Sequence, residues 1–204
     1  LIYAFSSLFV IVSPIGAVIT FVSLTSDMMV DEKNVLATKS VILACTIALF
    51  FAITGKIILN FFGISIDALR VAGGVLLFTV GFDMILAKVS RGSITDTEIN
   101  KSMDRSDIWI FPIALPLLAG PGTITTVIVL MGSASSILQN MLVMFAIIFT
   151  FAMTWVLLHF SRRVYKYLGH TGMLVFTRLM GLLLAAMAVN FISLGLWNIY
   201  TSFQ

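Results

Sequence analysis

The sequence predicts an all-α membrane protein: six transmembrane helices arranged as a 3+3 inverted-topology repeat, with discontinuous first and fourth helices. Three observations predict it. Of the 204 residues, 60% are hydrophobic and only 10% charged, and the mean hydropathy is +1.11, against roughly 25% charged residues in an average soluble domain. Six apolar stretches are each about 20 residues long, enough to cross the hydrocarbon core as a helix. Two of these stretches, one in each half, are interrupted by proline and glycine, as are the broken helices of inverted repeats.

The same composition excludes other classes. A net charge of +3 and a pI near 9.2 could suggest nucleic acid, but the 12 basic residues are scattered among helix ends and form no stripe. The single Cys45 permits no disulfide framework and reads as an inert thiol in an apolar run. The first apolar segment has no basic leader and carries Pro14 and Gly16 at its centre, so it is expected to be a span and not a cleaved signal.

In chain order the spans are expected near Tyr3 to Ser26, Val35 to Phe62, Ala68 to Ala87, Ile108 to Met131, Leu138 to Phe160 and Leu174 to Tyr200. Connections are short except 88–107, which holds Arg91, Asp96, Glu98, Lys101, Asp104 and Arg105. It is expected to be a polar cytoplasmic linker between a first repeat, 1–87, and a second, 108–204. The halves resemble each other: Pro14 and Pro121 are 107 residues apart, and Arg70 and Arg178, like Gly73 and Gly181, are 108 apart. A repeat of three spans is odd, so its second copy must enter the membrane from the opposite side. Lys33, Lys39, Lys88, Arg91, Lys101, Arg105, Arg162, Arg163 and Lys166 gather on one face and little beyond Lys56 and Arg70 on the other. The basic loops are therefore expected in the cytoplasm and both termini outside.

The breaks read Ser13-Pro14-Ile15-Gly16-Ala17 and Ala119-Gly120-Pro121-Gly122-Thr123. A proline removes a backbone donor and clashes with the preceding turn, freeing carbonyls on its N-terminal side. The helix that restarts after it begins with unpaired amides and the positive end of a dipole, which suits a carboxylate. Freed carbonyls can accept from an ammonium or hold a cation. Two such breaks offer both charges of a zwitterion a backbone partner without a buried ionised side chain. Ser13, Gly16, Ala17, Gly120, Gly122 and Thr123 make small walls, with Thr20, Thr125 and Thr126 a turn further on. A small neutral amino acid fits such a site. The blander reading is that the same residues kink the helices and let neighbours pack closely.

Pro14-Ile15-Gly16, Phe62-Gly63-Ile64-Ser65-Ile66-Asp67-Ala68-Leu69-Arg70-Val71-Ala72-Gly73-Gly74, Pro112 to Ile124, and Arg178-Leu179-Met180-Gly181-Leu182-Leu183 closely resemble the MarC family, which includes the SnatA-type small neutral amino acid transporters. The resemblance covers essentially the whole chain. It implies a six-span inner-membrane protein and, for SnatA-type members, transport of glycine and alanine. The family's first break usually reads Asn-Pro-x-Gly, often with a second proline four residues after the first. Here Ser13 and Val18 hold those places, so a contact made by an asparagine amide would fall to a hydroxyl.

Asp83, an acid inside a span, and Asn190, 107 residues later, are candidates for coupling to a proton or sodium ion; Asp83 could instead reach the interface beside Lys88. Arg70 and Arg178 are expected to anchor helix starts, Gly73, Gly74 and Gly81 to allow close packing, and Trp155, Trp197, Tyr165 and Tyr200 to sit at the interfaces. His159 and His170 lack partners for a metal site, and no cofactor is expected. The function so read is a secondary transporter of glycine, alanine or a similar solute, working by alternating access between the broken helices. A channel, or an efflux protein for other small solutes or drugs, is the alternative. An enzyme is disfavoured by the lack of a paired-acid, metal or nucleophile motif. The bilayer is the expected partner, and a homo-oligomer is compatible with the sequence.

Overall fold

The computed structural model describes residues 1–86 and 108–203, with the side chain of His170 left aside. The expected linker, 88–107, lies outside the described residues. The described residues form eight helical segments and no strand: α1 Ile2–Val12, α2 Pro14–Leu24, α3 Val30–Phe61, α4 Ile66–Ile85, α5 Trp109–Leu118, α6 Pro121–Gly132, α7 Ile137–His159 and α8 Ser161–Thr201. Five stretches are long and apolar enough to cross a membrane: Ile2–Leu24, Val30–Phe61, Ile66–Ile85, Ile137–His159 and Thr171–Thr201. The pair α5 and α6, bent by 51° at its break, makes a sixth if counted as one span.

Local chemistry accounts for the boundaries. The Met29 amide donates to Glu32 Oε2 (3.0 Å), and Asp31 and Glu32 sit at the positive end of α3. Ser65 and Ser136 accept from the amides of Ala68 (3.0 Å) and Gln139 (3.2 Å), capping α4 and α7. Pro14 and Pro121 open α2 and α6 at the one helical position where a missing N–H costs nothing. Inside α8, Gly169 at φ 63° separates a short basic stretch from the span that follows.

The helices pack in a reciprocal pattern. α4 lies along α8 and α3 along α7; α3 also touches α5 and α6 while α7 touches α1 and α2; α4 touches α6 while α8 touches α2. The α4–α8 seam runs antiparallel, and much of it is backbone on backbone. A Cβ on Gly81 would stand 2.8 Å from the Gly181 carbonyl oxygen, and one on Gly181 would stand 2.8 Å from that of Gly81. At the two ends, Gly74 faces the Ala188 carbonyl and Ile192, and Gly195 faces the Asp67 carbonyl and Val71. Gly73 instead receives the methyl of Thr125 from α6. Gly73, Gly74 and Gly81 thus have the close-packing role expected of them.

The core is built around α6, whose residues from Thr125 to Leu130 are all buried, together with the inner faces of α1, α2, α3 and α7. Many of the exposed side chains are apolar, among them Ile53, Val75, Phe82, Phe145, Leu182 and Leu196, as a chain solvated by lipid requires.

Candidate functional site

Both expected break positions coincide with helix boundaries, but the two are unlike. At the first, the amide of Ser13 donates back to the Phe9 carbonyl (3.0 Å) and the amide of Ala17 to the Ser13 carbonyl (2.9 Å). Between these bonds lie the amides of Ile15 and Gly16 and the carbonyls of Val10, Ile11 and Val12. Ser13 carries the interruption alone, in the left-handed region at φ 45° and ψ 63°, a conformation that costs a non-glycine residue roughly 1–2 kcal/mol. Pro14, Ala17 and Val18 are buried in the core. The Ser13 hydroxyl is also buried, without a hydrogen-bond partner among the described residues, and a Cβ on Gly16 would meet it at 2.8 Å.

The second break is broader. Phe111 and Leu115 are in extended backbone, each ahead of a proline, the conformation that a following proline imposes. The Ala119 amide reaches back to the Ala114 carbonyl (2.9 Å), and α6 begins its own ladder with the Ile124 amide on the Gly120 carbonyl (3.0 Å). Thr123 Oγ1 donates to the Leu118 carbonyl (3.0 Å), tying the two sides together. Gly120 presses against the Pro116 carbonyl, where a side chain has no room. The amides of Gly122 and Thr123 therefore precede the first helical bond of α6, at the positive end of its dipole.

This second break opens on a cavity of about 360 Å3, at the small end of the range for small-molecule sites. Pro116, Leu117 and Gly120 to Thr123 form one wall; Leu76, Leu77, Thr79, Val80 and Asp83 of α4 form another; Ile11 from the last turn of α1 and Leu184 of α8 complete it. A Cβ on Gly122 would lie 2.8 Å from Leu77 Cδ2 and 3.7 Å from Ile11 Cγ2, so the start of α6 faces both α4 and α1.

Of the twelve expected binding residues, the cavity gathers Gly120, Pro121, Gly122 and Thr123. Ser13, Pro14, Gly16, Ala17 and Thr20 belong to the first break, and only Ile11, just before it, reaches the cavity. Ala119 is fully buried behind Gly120, Thr125 fills the space over Gly73, and Thr126 is fully buried with an unpartnered hydroxyl. Asp83 and Asn190 part company: Asp83 lines the cavity, whereas Asn190 is exposed on α8. Asp83 also alters the expectation of a site without an ionisable side chain, because α4 runs antiparallel along α6, with Thr125 over Gly73 and Leu77 against Gly122, and so brings its end to the start of α6. The α4 wall was missed from the sequence, although it was within reach. Leu76, Thr79, Val80 and Asp83 follow one helical face at steps of three and four.

Arg70 is an anchor. It pairs with Asp67 (2.7 Å) and donates to Ser133 at the end of α6, while Asn198 Nδ2 donates to Asp67 (3.0 Å). Arg178 is exposed. Trp155 Nε1 donates to Thr38 Oγ1 (2.9 Å) between α7 and α3. Among the described residues no three His, Cys, Asp or Glu side chains gather to hold a metal.

The chain is similar to a UPF0056 membrane protein of Methanocaldococcus jannaschii, 42% identical over 195 residues, 96% of this chain and 95% of that one. It is also similar to the UPF0056 membrane protein YvbG of Bacillus subtilis, 38% identical over 201 residues (98% and 95% of the two chains), and to YhcE of Escherichia coli, 36% over 200 residues (96% and 91%). No solved structure matches it. Residues 1–200 match the model of the MarC family of integral membrane proteins. With its apolar helices, the Pro-Gly interruptions and similarity over nearly its full length, the chain belongs to the MarC family.

Proposed function

We propose that this protein is a secondary transporter of small neutral amino acids, glycine and alanine foremost, with the substrate held at the Gly120–Thr123 break. The observation that carries the reading is the cavity of about 360 Å3 into which that break opens opposite Asp83. The amides at the start of α6 suit a carboxylate. The Asp83 carboxylate suits an ammonium or a coupling proton or sodium ion. Leu76, Leu77, Val80 and Leu184 leave a short apolar wall, which matches a hydrogen or methyl side chain.

Alternating access then comes from two inverted three-span repeats, α1–α4 and α5–α8, in which α1 with α2 and α5 with α6 each make one span. The reciprocal packing supports this arrangement: exchanging the halves maps α4 on α8 and α3 on α7 onto themselves, and α4 on α6 onto α8 on α2. The antiparallel α4–α8 seam supports opposite membrane entry. The basic ends, including Lys33, Arg162, Arg163 and Lys166, are assigned to the cytoplasm, which leaves both termini outside. Ser13 and Thr126 each hold a buried hydroxyl with a hydrogen bond to give, and the first break serves the second access state. Reconstitution in proteoliposomes tests the reading: labelled glycine or alanine should accumulate, saturate and show counterflow. Absence of binding and of flux in folded protein overturns it, and flux without saturation or counterflow would indicate a channel.

A further inference from the structure

We infer that the junction of α7 and α8 is a binding site for the phosphate headgroup of an anionic phospholipid, separate from the Gly120–Thr123 cavity. Two cavities of about 210 and 520 Å3 share Lys33, Ser161 and Arg162; the first adds His159 and Arg163, the second Lys166. Among the described residues no carboxylate lines either of them. The ion pair among the described residues is Arg70 with Asp67, at the other end of the bundle. Lys33 is only 9% exposed, yet among the described residues its ammonium, with three donors, makes a single 3.4 Å bond, to the Ser26 carbonyl. Lys33 lines both cavities, so its remaining donors are open to an anion that enters them.

The surroundings favour a lipid over a free ion. Apolar walls from Val22, Val30, Leu158 and Phe160 adjoin the cations, and Arg163 lies over the Phe160 ring, 5.3 Å from its centroid. The stretch from Ser161 to Leu168 is amphipathic. Val164, Tyr165 and Leu168 pack on the core while Arg162, Arg163, Lys166 and Tyr167 are exposed, and Gly169 then turns the chain into the last span. Such a segment at a span end lies at headgroup depth, where basic pockets between helices meet anionic lipid. A phosphodiester between Lys33, Arg162 and Lys166 leaves its acyl chains against the apolar walls.

The test is native mass spectrometry of the purified full chain with phosphatidylglycerol, phosphatidylcholine or inorganic phosphate. Phosphatidylglycerol should be retained preferentially, and the exposed double variant R162Q/K166Q should weaken that retention about 25-fold, at roughly fivefold per cation. Lys56→Gln, an exposed cation at the opposite end, should leave it unchanged. Lys33→Gln should weaken it as well; if that variant misfolds, the double variant carries the test. Equal retention of the two lipids, an unaltered R162Q/K166Q, or displacement of phosphatidylglycerol by millimolar phosphate overturns the assignment.

Discussion

The two helix interruptions stand at matching places in the chain and do different things. The first is one residue wide: Ser13 turns left-handed, Pro14 restarts the helix, and Ile2–Leu24 together are long enough for one span. The second is spread over Phe111, Leu115 and the Ala119–Gly120 junction, bends the chain by 51°, and lies on a cavity. A proline alone therefore costs a helix little more than one residue of irregular backbone. Two further prolines upstream, Pro112 and Pro116, widen the interruption until its amides face open space.

This contrast can be broken experimentally, most sharply by matched glycine substitutions. Gly122→Val places a branched side chain against Leu77 and into the cavity. It should lower glycine and alanine flux by about 100-fold or more, the scale expected when a reacting or binding geometry is displaced by about an ångström. Gly16→Val sets its Cβ against the Ser13 side chain, away from the cavity lining, and should cost flux less than tenfold. Equal losses, measured in proteoliposomes on monodisperse protein, would mean that both breaks hold the substrate alike. Next in size is Asp83→Asn, which keeps volume and removes charge: ion-driven accumulation should fall at least tenfold while exchange of substrate across the membrane persists. Loss of both would make Asp83 a substrate ligand and not a coupling group.

Smaller effects separate the breaks by stability. Thr123→Val removes the bond that ties α6 to the Leu118 carbonyl and should destabilise the protein by about 1 kcal/mol, read from reversible unfolding in detergent. Ser13→Asn should stabilise it by less than about 1 kcal/mol, because asparagine tolerates the left-handed region better than serine. The asparagine usual at this place in the MarC family is thereby given a backbone reason independent of any ligand. A destabilised Ser13→Asn would point instead to the buried hydroxyl as the reason for serine.

Much of this was legible in the sequence because the relevant signals are local. Apolar runs of about 20 residues gave spans whose ends agree with the membrane-length stretches to within five residues, the largest gap being Val35 against Val30 at the start of α3, and Pro14 and Pro121 marked helix starts to the residue. The residues Gly73, Gly74 and Gly81 were readable as packing positions for the same reason: small side chains in an apolar helix have few other uses. Three features were not legible. The difference between the breaks depends on how Phe111 and Leu115 are turned by prolines that a span count treats as interchangeable. The convergence of Asp83 on the Gly120–Thr123 break depends on α4 lying antiparallel along α6, a contact between residues about fifty positions apart, such as Gly73 and Thr125. Asn190 matched Asp83 in spacing yet faces outward, since a repeat of positions does not carry a repeat of side-chain burial.

The α4–α8 seam has a genetic consequence. Where side chain meets side chain, a bulky change on one helix can be offset by a smaller residue on the other. At Gly81 and Gly181 each helix meets the other's peptide carbonyl, and no substitution makes a carbonyl smaller. A defect from Gly81→Val should therefore resist rescue by any replacement at Gly181 or Ala185, and suppressors should arise elsewhere or not at all. The seam is a place where the two halves of the chain cannot drift by mutual compensation.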